Sequence, residues 1–304
     1  MSRIHEALKK AAEERNSQSA NRSVSDIVEL PGQAALVERA PSDAVAPTEI
    51  GTRPKLEPGE LKFEEFRKRL TAVTWRIDPS ASVFSAHTNH QVGAEKFRTL
   101  RSRLYQIATT QPLKKLLITS STPAEGKTFV TANLAHSFVR QASRRVLLID
   151  SDLRASRLHL HLGAPDKPGL SDYLRGDCDE FQVTQVGKDG NLCLIPGGRE
   201  VSNPSELLHS ERMKHLLDRM SLVFDWIILD SPPALAVHDA SILADMCDGV
   251  LFVVRAGATD FELAEKASAE FRDKNLLGVV LNRVEKSDAY GDYYYGYGSE
   301  READ

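Results

Sequence analysis

Short apolar runs alternate with amphipathic stretches along the second part of the chain. The runs are apolar at nearly every position, whereas the amphipathic stretches repeat apolar residues at helical spacing. The pattern predicts strands at KLLITS (115–120), RVLLID (145–150), NLCLIP (191–196), WIILD (226–230), GVLFVV (249–254) and LLGVVLN (276–282), and helices over 92–107, from Lys127, near 204–220 and over 261–274.

Strands that are apolar throughout are buried on both faces, which is typical of a parallel sheet covered by helices on each side. The sequence therefore predicts an α/β fold with a mainly parallel central sheet and helices on both faces. We expect this core domain to span residues 86–285.

The pattern changes before the core. Residues 1–15 have high helix propensity and a thin apolar stripe, which predicts a short amphipathic helix. Residues 16–60 are rich in proline and serine and lack aromatic side chains, so we expect a disordered linker. Residues 61–85 regain large apolar side chains and are expected to pack on the core as an extension; these are Phe63, Phe66, Trp75 and Phe84.

Composition excludes several classes of protein. The chain has 304 residues and a formal net charge of −4, which argues against sequence-independent binding to nucleic acid. Its three cysteines, Cys178, Cys193 and Cys247, are odd in number and widely spaced, so neither a disulfide framework nor a zinc site is expected. Neither a signal peptide nor an apolar run of membrane-spanning length is evident, and we expect a cytoplasmic location.

The segment Ser121–Thr128, STPAEGKT, has the context of a phosphate-binding loop. It follows a predicted strand and precedes a predicted helix, where backbone N–H groups can wrap the phosphates of a nucleotide. Lys127 would reach the β- and γ-phosphates, and the Thr128 hydroxyl would bind Mg²⁺. We therefore expect ATP and Mg²⁺ as cofactors, with nucleotide contacts from Pro123, Ala124, Glu125, Gly126, Lys127, Thr128 and Phe129.

Acidic residues end two of the predicted strands. Asp150 and Asp152 follow one strand, and Asp230 follows another. An aspartate at a strand end often only caps the next helix. Because the carboxyl ends of parallel strands line the ligand crevice, we instead expect these carboxylates to converge on the metal at the phosphate loop, with Asp150 and Asp230 as metal ligands.

Two further pairs of polar residues stay open to more than one interpretation. Asn282 and Arg283 end the last predicted strand and would either contact the adenine base or form an ordinary polar turn. His159 and His161 suggest a metal, but the sequence shows no partnering cysteine or carboxylate cluster, so surface histidines are the better interpretation.

The end of the chain is loaded with tyrosine. Residues 286–304 hold five of the seven tyrosines, interleaved with glycine, which predicts a flexible tail. Either this tail is a disordered segment without an enzymatic role, or its tyrosines are substrates. With a phosphate loop in the same chain we favour phosphoacceptors at Tyr290, Tyr293, Tyr294, Tyr295 and Tyr297.

Taken in order, the runs SSTPAEGKTFVTANLA, VLLIDSDLRASRLH, WIILDSPPALAVHDA and GVVLNRV resemble the bacterial tyrosine kinases of capsular and exopolysaccharide production. That family belongs to the deviant P-loop ATPases, which also include septum-site and plasmid-partition ATPases. The resemblance covers roughly residues 90–285. The opening MSRIHEALKKA is similar to members associated with exosortase-linked gene clusters.

The resemblance implies specific roles for residues of this chain. Lys127, Asp150 and Asp152 are expected to be catalytic, with Asp152 orienting the incoming tyrosine hydroxyl. Thr122 stands where partition-type ATPases carry a lysine, which favours the kinase branch, and Ala124 stands where the kinases usually have glycine. The motif E-x-x-R-x-x-R, which mediates assembly into rings in this family, is matched by Glu95, Arg98 and Arg101.

The resemblance also implies partners. We expect a ring-like homo-oligomer, a separate transmembrane activator of the chain-length-determinant type, a cognate tyrosine phosphatase, and a position at the inner face of the plasma membrane through the activator. The expected function is tyrosine autophosphorylation that regulates exopolysaccharide polymerisation and export. The alternative is a positioning-type regulatory ATPase switch that lacks kinase activity, because the same loop and aspartates would serve it.

Overall fold

The structure is a computed structural model that describes residues 62–84, 91–141, 144–187 and 190–284. The predicted helix over 1–15, the linker over 16–60 and the tail over 286–304, with its five tyrosines, lie outside the described residues. Within the described residues, no helix combines the length and the apolar character needed to cross a membrane.

A single sheet of eight strands organises the described residues. Its order is β1-β4-β5-β3-β6-β2-β7-β8, and every neighbouring pair is parallel except β4 and β5. The prediction of a mainly parallel sheet is therefore confirmed. The strands are β1 (Thr71–Ala72), β2 (Lys115–Ser120), β3 (Val146–Asp150), β4 (Gln185–Val186), β5 (Leu192–Ile195), β6 (Trp226–Asp230), β7 (Gly249–Arg255) and β8 (Leu276–Asn282).

Helices cover both faces of the sheet. They are α1 (Phe63–Lys68), α2 (Gln91–Ala108), α3 (Lys127–Val139), α4 (Leu158–Leu162), α5 (Leu170–Arg175), α6 (Glu180–Val183), α7 (Pro204–Leu208), α8 (Glu211–Val223), α9 (Asp239–Ala244) and α10 (Phe261–Ala269), with 3₁₀ turns at Pro79–Ala81 and Arg272–Lys274. Successive strand residues point to opposite faces. In β2, Leu117 joins the core under α8, α9 and α10, whereas Leu116 and Ile118 join the core under α2, α3 and α4.

Two predicted helices are shorter than expected. The helix predicted near 204–220 is two helices, because Ser210 interrupts it and caps α8 by accepting a hydrogen bond from the Met213 backbone N–H. The helix predicted over 261–274 ends at Ala269 and continues only as the 3₁₀ turn. In both cases the apolar residues keep their helical spacing across a short break in the backbone hydrogen bonds of the helix.

The segment 62–84 lies against the core on both sides of β1, which is itself a strand of the sheet. Phe63 and Phe66 are buried against Phe224, and Phe66 also contacts Phe181. Further along, the side chain of Asn133 in α3 accepts a hydrogen bond from Val83 N and donates one to Ala81 O. The segment therefore reaches from the edge of the sheet to the helix that follows the phosphate loop.

Candidate active site

The loop between β2 and α3 turns sharply in front of the helix. Gly126 has φ 96° and Ala124 has φ 65°, both in the left-handed region. An alanine in that region costs about 1–2 kcal/mol because its Cβ crowds the following carbonyl oxygen. Ala124, which stands where the kinases usually have glycine, therefore carries backbone strain. The turn leads directly into the N-terminus of α3, where free N–H groups favour an anion.

A buried carboxylate fixes this loop from inside. Glu125 is 2% exposed and accepts hydrogen bonds from the Ser121 hydroxyl, from Thr122 N at 2.7 Å and from the Thr259 hydroxyl. The Glu125 backbone carbonyl accepts a further bond from Asn282 Nδ2 at 2.9 Å. The Glu125 side chain therefore points into the protein and holds the loop, which leaves only its backbone to face a nucleotide.

The two acidic strand ends meet beside the loop. Asp150 of β3 and Asp230 of β6 are partners in the parallel register, and both are almost completely buried. Asp230 accepts from the Thr128 hydroxyl at 2.7 Å and from the Thr131 hydroxyl at 3.1 Å. Lys127 is also buried, at 8% exposure, and its charge acts on Asp230. The structure thus brings the residues from three distant motifs together.

Asp150 is held by the loop that follows its own strand. One carboxylate oxygen accepts hydrogen bonds from the Ser156 hydroxyl at 2.7 Å and from the backbone N–H groups of Arg157 and Leu158. The other accepts from Asp152 N at 3.2 Å. Asp152 is half-buried, and its charge raises the pKa of both Asp150 and Asp230, so it lies near the pair. Asp150 therefore shapes the loop that carries Asp152.

The electrostatics of the carboxylate pair favour a cation. Burial raises the pKa of Asp150, although hydrogen bonds from Ser156 and Leu158 oppose the rise. Burial also raises the pKa of Asp230, and the charge of Asp150 adds to that effect, whereas Lys127 and Thr128 lower it. Two carboxylates and a hydroxyl are hard oxygen donors of the kind that Mg²⁺ prefers, so this donor set fits a magnesium ion shared with phosphate oxygens.

Histidine and cysteine do not build a second metal centre in the part of the chain that is described. There, no group of three or more histidine, cysteine, aspartate or glutamate side chains is arranged to hold a metal ion. Mg²⁺ commonly takes only one or two protein carboxylates together with substrate phosphates, so the Asp150–Asp230 pair is enough for that mode of binding.

The remaining predicted residues lie at the margins of the site. Pro123 is exposed at the tip of the loop, and Phe129 packs on Phe97 of α2. Asn282 packs against Gly126, where a Cβ would meet its Nδ2 at 2.0 Å, so Asn282 fixes the loop in this structure. Arg283 is exposed with φ 57° at the end of β8.

The three residues of the predicted self-association motif lie on α2. Glu95 and Arg98 form an exposed ion pair with each other, with 2.7 Å between Arg98 Nη1 and Glu95 Oε2. Arg101 instead points inward and donates to the backbone carbonyl of Ser137 in α3. Glu95 and Arg98 are therefore the two members of the motif that the structure leaves at the surface.

Several residues of the site were not predicted from the sequence. Thr131 and Thr259 bind the acidic residues of the site through hydroxyl groups, and Asp239 is a fully buried carboxylate paired with Arg154. A threonine one turn after the loop threonine could be inferred from helical periodicity, since Thr128 and Thr131 lie on one face of α3. The other contacts join residues that are far apart in the chain.

Comparison with protein families identifies the nucleotide-binding core. A family profile described as the CobQ/CobB/MinD/ParA nucleotide binding domain matches residues 116–299. The septum-site-determining protein MinD from Pyrococcus horikoshii, solved with Mg-ADP, has a similar fold with a TM-score of 0.50 over 58% of this chain and 72% of its own chain, at 24% identity. The expected P-loop NTPase fold is therefore confirmed.

Relatives with assigned activities are tyrosine-protein kinases. YwqD of Bacillus subtilis is 35% identical over 209 residues, which are 67% of this chain and 87% of YwqD. CpsD of Streptococcus agalactiae is 36% identical over 59% of this chain and 80% of CpsD. The Wzc kinase of Salmonella typhimurium is 38% identical over 67% of this chain, but the match spans only 29% of Wzc.

Solved structures lead to the same family. The kinase domain of the Escherichia coli tyrosine kinase ETK is 33% identical, with a TM-score of 0.58 over 65% of this chain and 80% of that domain. The chimerical protein CapA2B2 is 27% identical, with a TM-score of 0.64 over 74% of this chain and all of CapA2B2. The chain therefore belongs to the bacterial tyrosine-protein kinases and is built on a CobQ/CobB/MinD/ParA nucleotide binding domain.

Proposed function

We propose that this chain transfers the γ-phosphoryl group of Mg-ATP to tyrosines of its own C-terminal cluster, Tyr290, Tyr293, Tyr294, Tyr295 and Tyr297. One observation carries the proposal: the Thr128 hydroxyl bonds to Asp230, which is in register with Asp150, beside the buried Lys127. Family membership and the tyrosine-rich sequence after β8 support the choice of acceptor.

Each residue of the site has a defined part in this proposal. Thr128, Asp150 and Asp230 would hold Mg²⁺, directly or through water, and the ion would supply positive charge against the negative charge that develops during transfer. Lys127 contributes a second positive charge at the β- and γ-phosphates. Backbone N–H groups from Ala124 to Phe129 enclose the phosphates, Pro123 borders them without a donor, and Asn282 and Arg283 border the base.

Asp152 orients the acceptor. The tyrosine oxygen forms a bond to the γ-phosphorus while the bond from that phosphorus to the β,γ-bridging oxygen breaks, which yields ADP and phosphotyrosine. The phenolic proton passes to Asp152 and then to solvent. Positioning and charge neutralisation carry most of the catalysis, because the phosphoryl group passes directly to the acceptor tyrosine without a covalent intermediate on Lys127 or the aspartates.

The tail also supplies a means of regulation. Residues 286–304 hold two basic and five acidic side chains, a net charge of −3. Phosphorylation of all five tyrosines would add about −8 to −10. We infer that unmodified chains assemble into a ring through the motif on α2, with Glu95 and Arg98 at the contact and Arg101 holding α2 against α3. The charge of the phosphorylated tails separates the chains. A cognate phosphatase would restore the assembly.

The wider setting is part of the proposal. This chain is proposed to act with a separate transmembrane activator at the inner face of the plasma membrane. The match spans less than a third of longer relatives such as Wzc. CapA2B2 is a chimerical protein whose name combines two components, which supports a kinase that works with a second protein. Through this contact the kinase would regulate polymerisation and export of an exopolysaccharide or capsule.

The test incubates the purified full chain with Mg-ATP and follows phosphotyrosine by immunoblot and mass spectrometry. The signal is expected to vanish when residues 286–304 are removed and to fall at least about 100-fold in Lys127→Met, since a preorganised charge at the transferred group is lost. Lys266→Met removes an exposed lysine of α10 and is the matched control. ATP hydrolysis without any phosphotyrosine would overturn the kinase proposal in favour of the regulatory ATPase.

A further inference from the structure

The loop after β3 carries a guanidinium group that two other elements hold in place. Arg154 Nε donates to Oδ2 of Asp239 in α9 at 2.9 Å, and Arg154 Nη2 donates to the hydroxyl of Ser205 in α7 at 2.9 Å. Asp239 is fully buried and also accepts a hydrogen bond from Ser205. Because Asp239 is buried and Ser205 is half-buried, these hydrogen bonds fix the orientation of the guanidinium, although 41% of the Arg154 side chain is exposed.

This guanidinium borders the acceptor side of the crevice. Arg154 follows Asp152 by two residues on the loop at the carboxyl end of β3. The hydrogen bond to Asp239 raises the pKa of Arg154, and the charge of Asp152 acts in the same direction, so the Asp152 carboxylate lies within electrostatic range. A cation therefore stands beside the residue that is proposed to receive the tyrosine hydroxyl.

Arg154 keeps capacity for another ligand. Its Nε and Nη2 atoms make the hydrogen bonds described above, and within residues 62–84, 91–141, 144–187 and 190–284 no hydrogen bond or ion pair involves Nη1. A planar guanidinium that is already oriented loses little entropy when it pairs with a carboxylate. Its exposed edge is suited to an acidic side chain of a peptide.

The tail offers such side chains at defined positions. Asp288 precedes Tyr290 by two residues, and Asp292 precedes Tyr293 by one residue and Tyr294 by two. The crevice itself contains the carboxylates of Asp150, Asp152 and Asp230, which would repel an acidic peptide. An acidic residue just before the acceptor tyrosine therefore needs a cation on the rim, and Arg154 provides one.

We propose that Arg154 is a specificity-determining residue that selects tyrosines preceded by a carboxylate one or two positions upstream. It pairs with Asp288 or Asp292 in the tail of a second copy of the chain while the acceptor lies at Asp152. Tyr290, Tyr293 and Tyr294 are then phosphorylated before Tyr297, whose nearest upstream carboxylate, Asp292, is five residues away. This inference rests on the proposed kinase function.

The experiment compares two peptides as substrates of the full chain. One peptide has the native sequence of residues 284–298, and the other carries Asp288→Asn and Asp292→Asn. Loss of a charge-assisted contact is expected to raise KM about tenfold for the amide peptide, with kcat within about twofold. In full-chain autophosphorylation, mass spectrometry should find Tyr293 modified earlier than Tyr297.

Variants of the enzyme locate the effect. Arg154→Gln should raise KM for the native peptide about tenfold and leave KM for the amide peptide unchanged, whereas Arg154→Lys should keep part of the preference because the charge remains. Arg272→Gln is the control, because Arg272 lies before the amino end of β8 and so on the side of the sheet opposite the carboxyl ends of the strands. This variant should have the KM values of the native enzyme. If Arg154→Gln does not fold, the two peptides still decide the matter with the native enzyme.

Two results would overturn the inference, and they are distinct. Equal KM values for the two peptides would remove the role of Arg154 and leave the kinase function standing. Phosphorylation of neither peptide, together with an unmodified tail in the full chain, would overturn the proposed function and the inference with it.

Discussion

Strands β3 and β6 run side by side in register, and charged residues lie at both of their ends. At the amino ends, Arg145 and Asp225 form a bidentate pair in which Arg145 Nε and Nη2 donate at 3.0 and 2.8 Å and the Arg145 backbone N–H donates at 2.8 Å. At the carboxyl ends, Asp150 and Asp230 place two negative charges at one register position.

The two pairs have different roles. The amino-end pair stabilises the domain, whereas the carboxyl-end pair is available for chemistry. The amino-end pair is internally neutral and its hydrogen bonds are made within the fold. The carboxyl-end pair is incomplete by itself, since two buried carboxylates repel each other unless a proton or a cation intervenes. In open α/β sheets, ligands bind at the carboxyl ends, and the phosphate loop lies at that same edge here. The comparison can be tested with substitutions of equal size at the two ends.

The largest effect is expected from Asp230→Asn. The change keeps the shape of the side chain but removes the charge that Thr128, Lys127 and the proposed metal share. We expect kcat for tail phosphorylation to fall about 100- to 1,000-fold, similar to the loss of a preorganised group at a transition state. Radiolabel transfer under saturating Mg-ATP measures it.

Asp225→Asn is the matched control for that experiment. It removes one negative charge from the same strand pair at the opposite end. Phosphorylation by the folded enzyme at 20 °C should stay within about twofold of the native rate, because the electrostatic effect of a partly exposed charge is weakened by solvent. A loss as large as that of Asp230→Asn would mean that the two ends of the strands are not functionally separate.

The sequence predicted the carboxyl-end site better than the amino-end pair. Asp150 and Asp230 were expected together because topology alone brings the carboxyl ends of neighbouring parallel strands to one edge. The Arg145–Asp225 pair was not predicted, since each residue precedes its strand in an ordinary polar stretch. Pairing there depends on strand order, β3 beside β6, and the sequence alone does not determine that order.

Other contacts could not be predicted from the spacing of apolar residues along the chain. Thr259, Asn282 and Glu125 meet at the phosphate loop although they belong to three separate segments of the chain. The interruption at Ser210 was missed because serine is common inside amphipathic stretches and becomes a cap only when the backbone turns. Local pattern therefore predicted the six longer strands and the regions of the longest helices, whereas the short strands β1 and β4, several short helices and the contacts across loops required the tertiary structure.

The second prediction concerns stability at the amino ends. Asp225→Ala leaves Arg145 without its carboxylate, although 35% of the arginine side chain is exposed and can be hydrated. We expect the free energy of unfolding to fall by about 1–3 kcal/mol, the usual range for hydrogen bonds to charged groups. Thermal unfolding followed by circular dichroism measures the change. An Arg145→Met, Asp225→Ala cycle should show strong coupling between the two residues, and additive effects would contradict the pair.

The same pair predicts a pH dependence. Burial alone would raise the pKa of Asp225, but hydrogen bonds from the Arg145 side chain and backbone lower it below its ordinary value of 3.8. A carboxyl group whose pKa is lower in the folded state stabilises the fold above its unfolded pKa. That contribution is lost as the pH falls below about 3.8 through the folded value. The urea midpoints of the native chain and Asp225→Asn should differ at pH 6 and converge towards pH 2, whereas a constant difference would contradict the assignment.

The smallest effect is expected at Ala124, where the backbone strain lies in the phosphate loop itself. With φ 65°, Ala124 adopts a conformation that glycine accepts without a Cβ clash. Ala124→Gly should therefore relieve about 1 kcal/mol in the folded state, partly offset by the greater freedom of glycine in the unfolded chain.

The net result should be a gain in unfolding temperature of no more than about 4 °C, with the kinase rate within about twofold. Ala269→Gly, at the exposed end of α10, is the control of opposite sign and should lower the unfolding temperature, because glycine weakens a helix. If Ala124→Gly instead destabilised the protein as much as Ala269→Gly does, the left-handed turn would not be the conformation of the loop in solution. Its backbone N–H groups would then need binding to a nucleotide to reach that geometry.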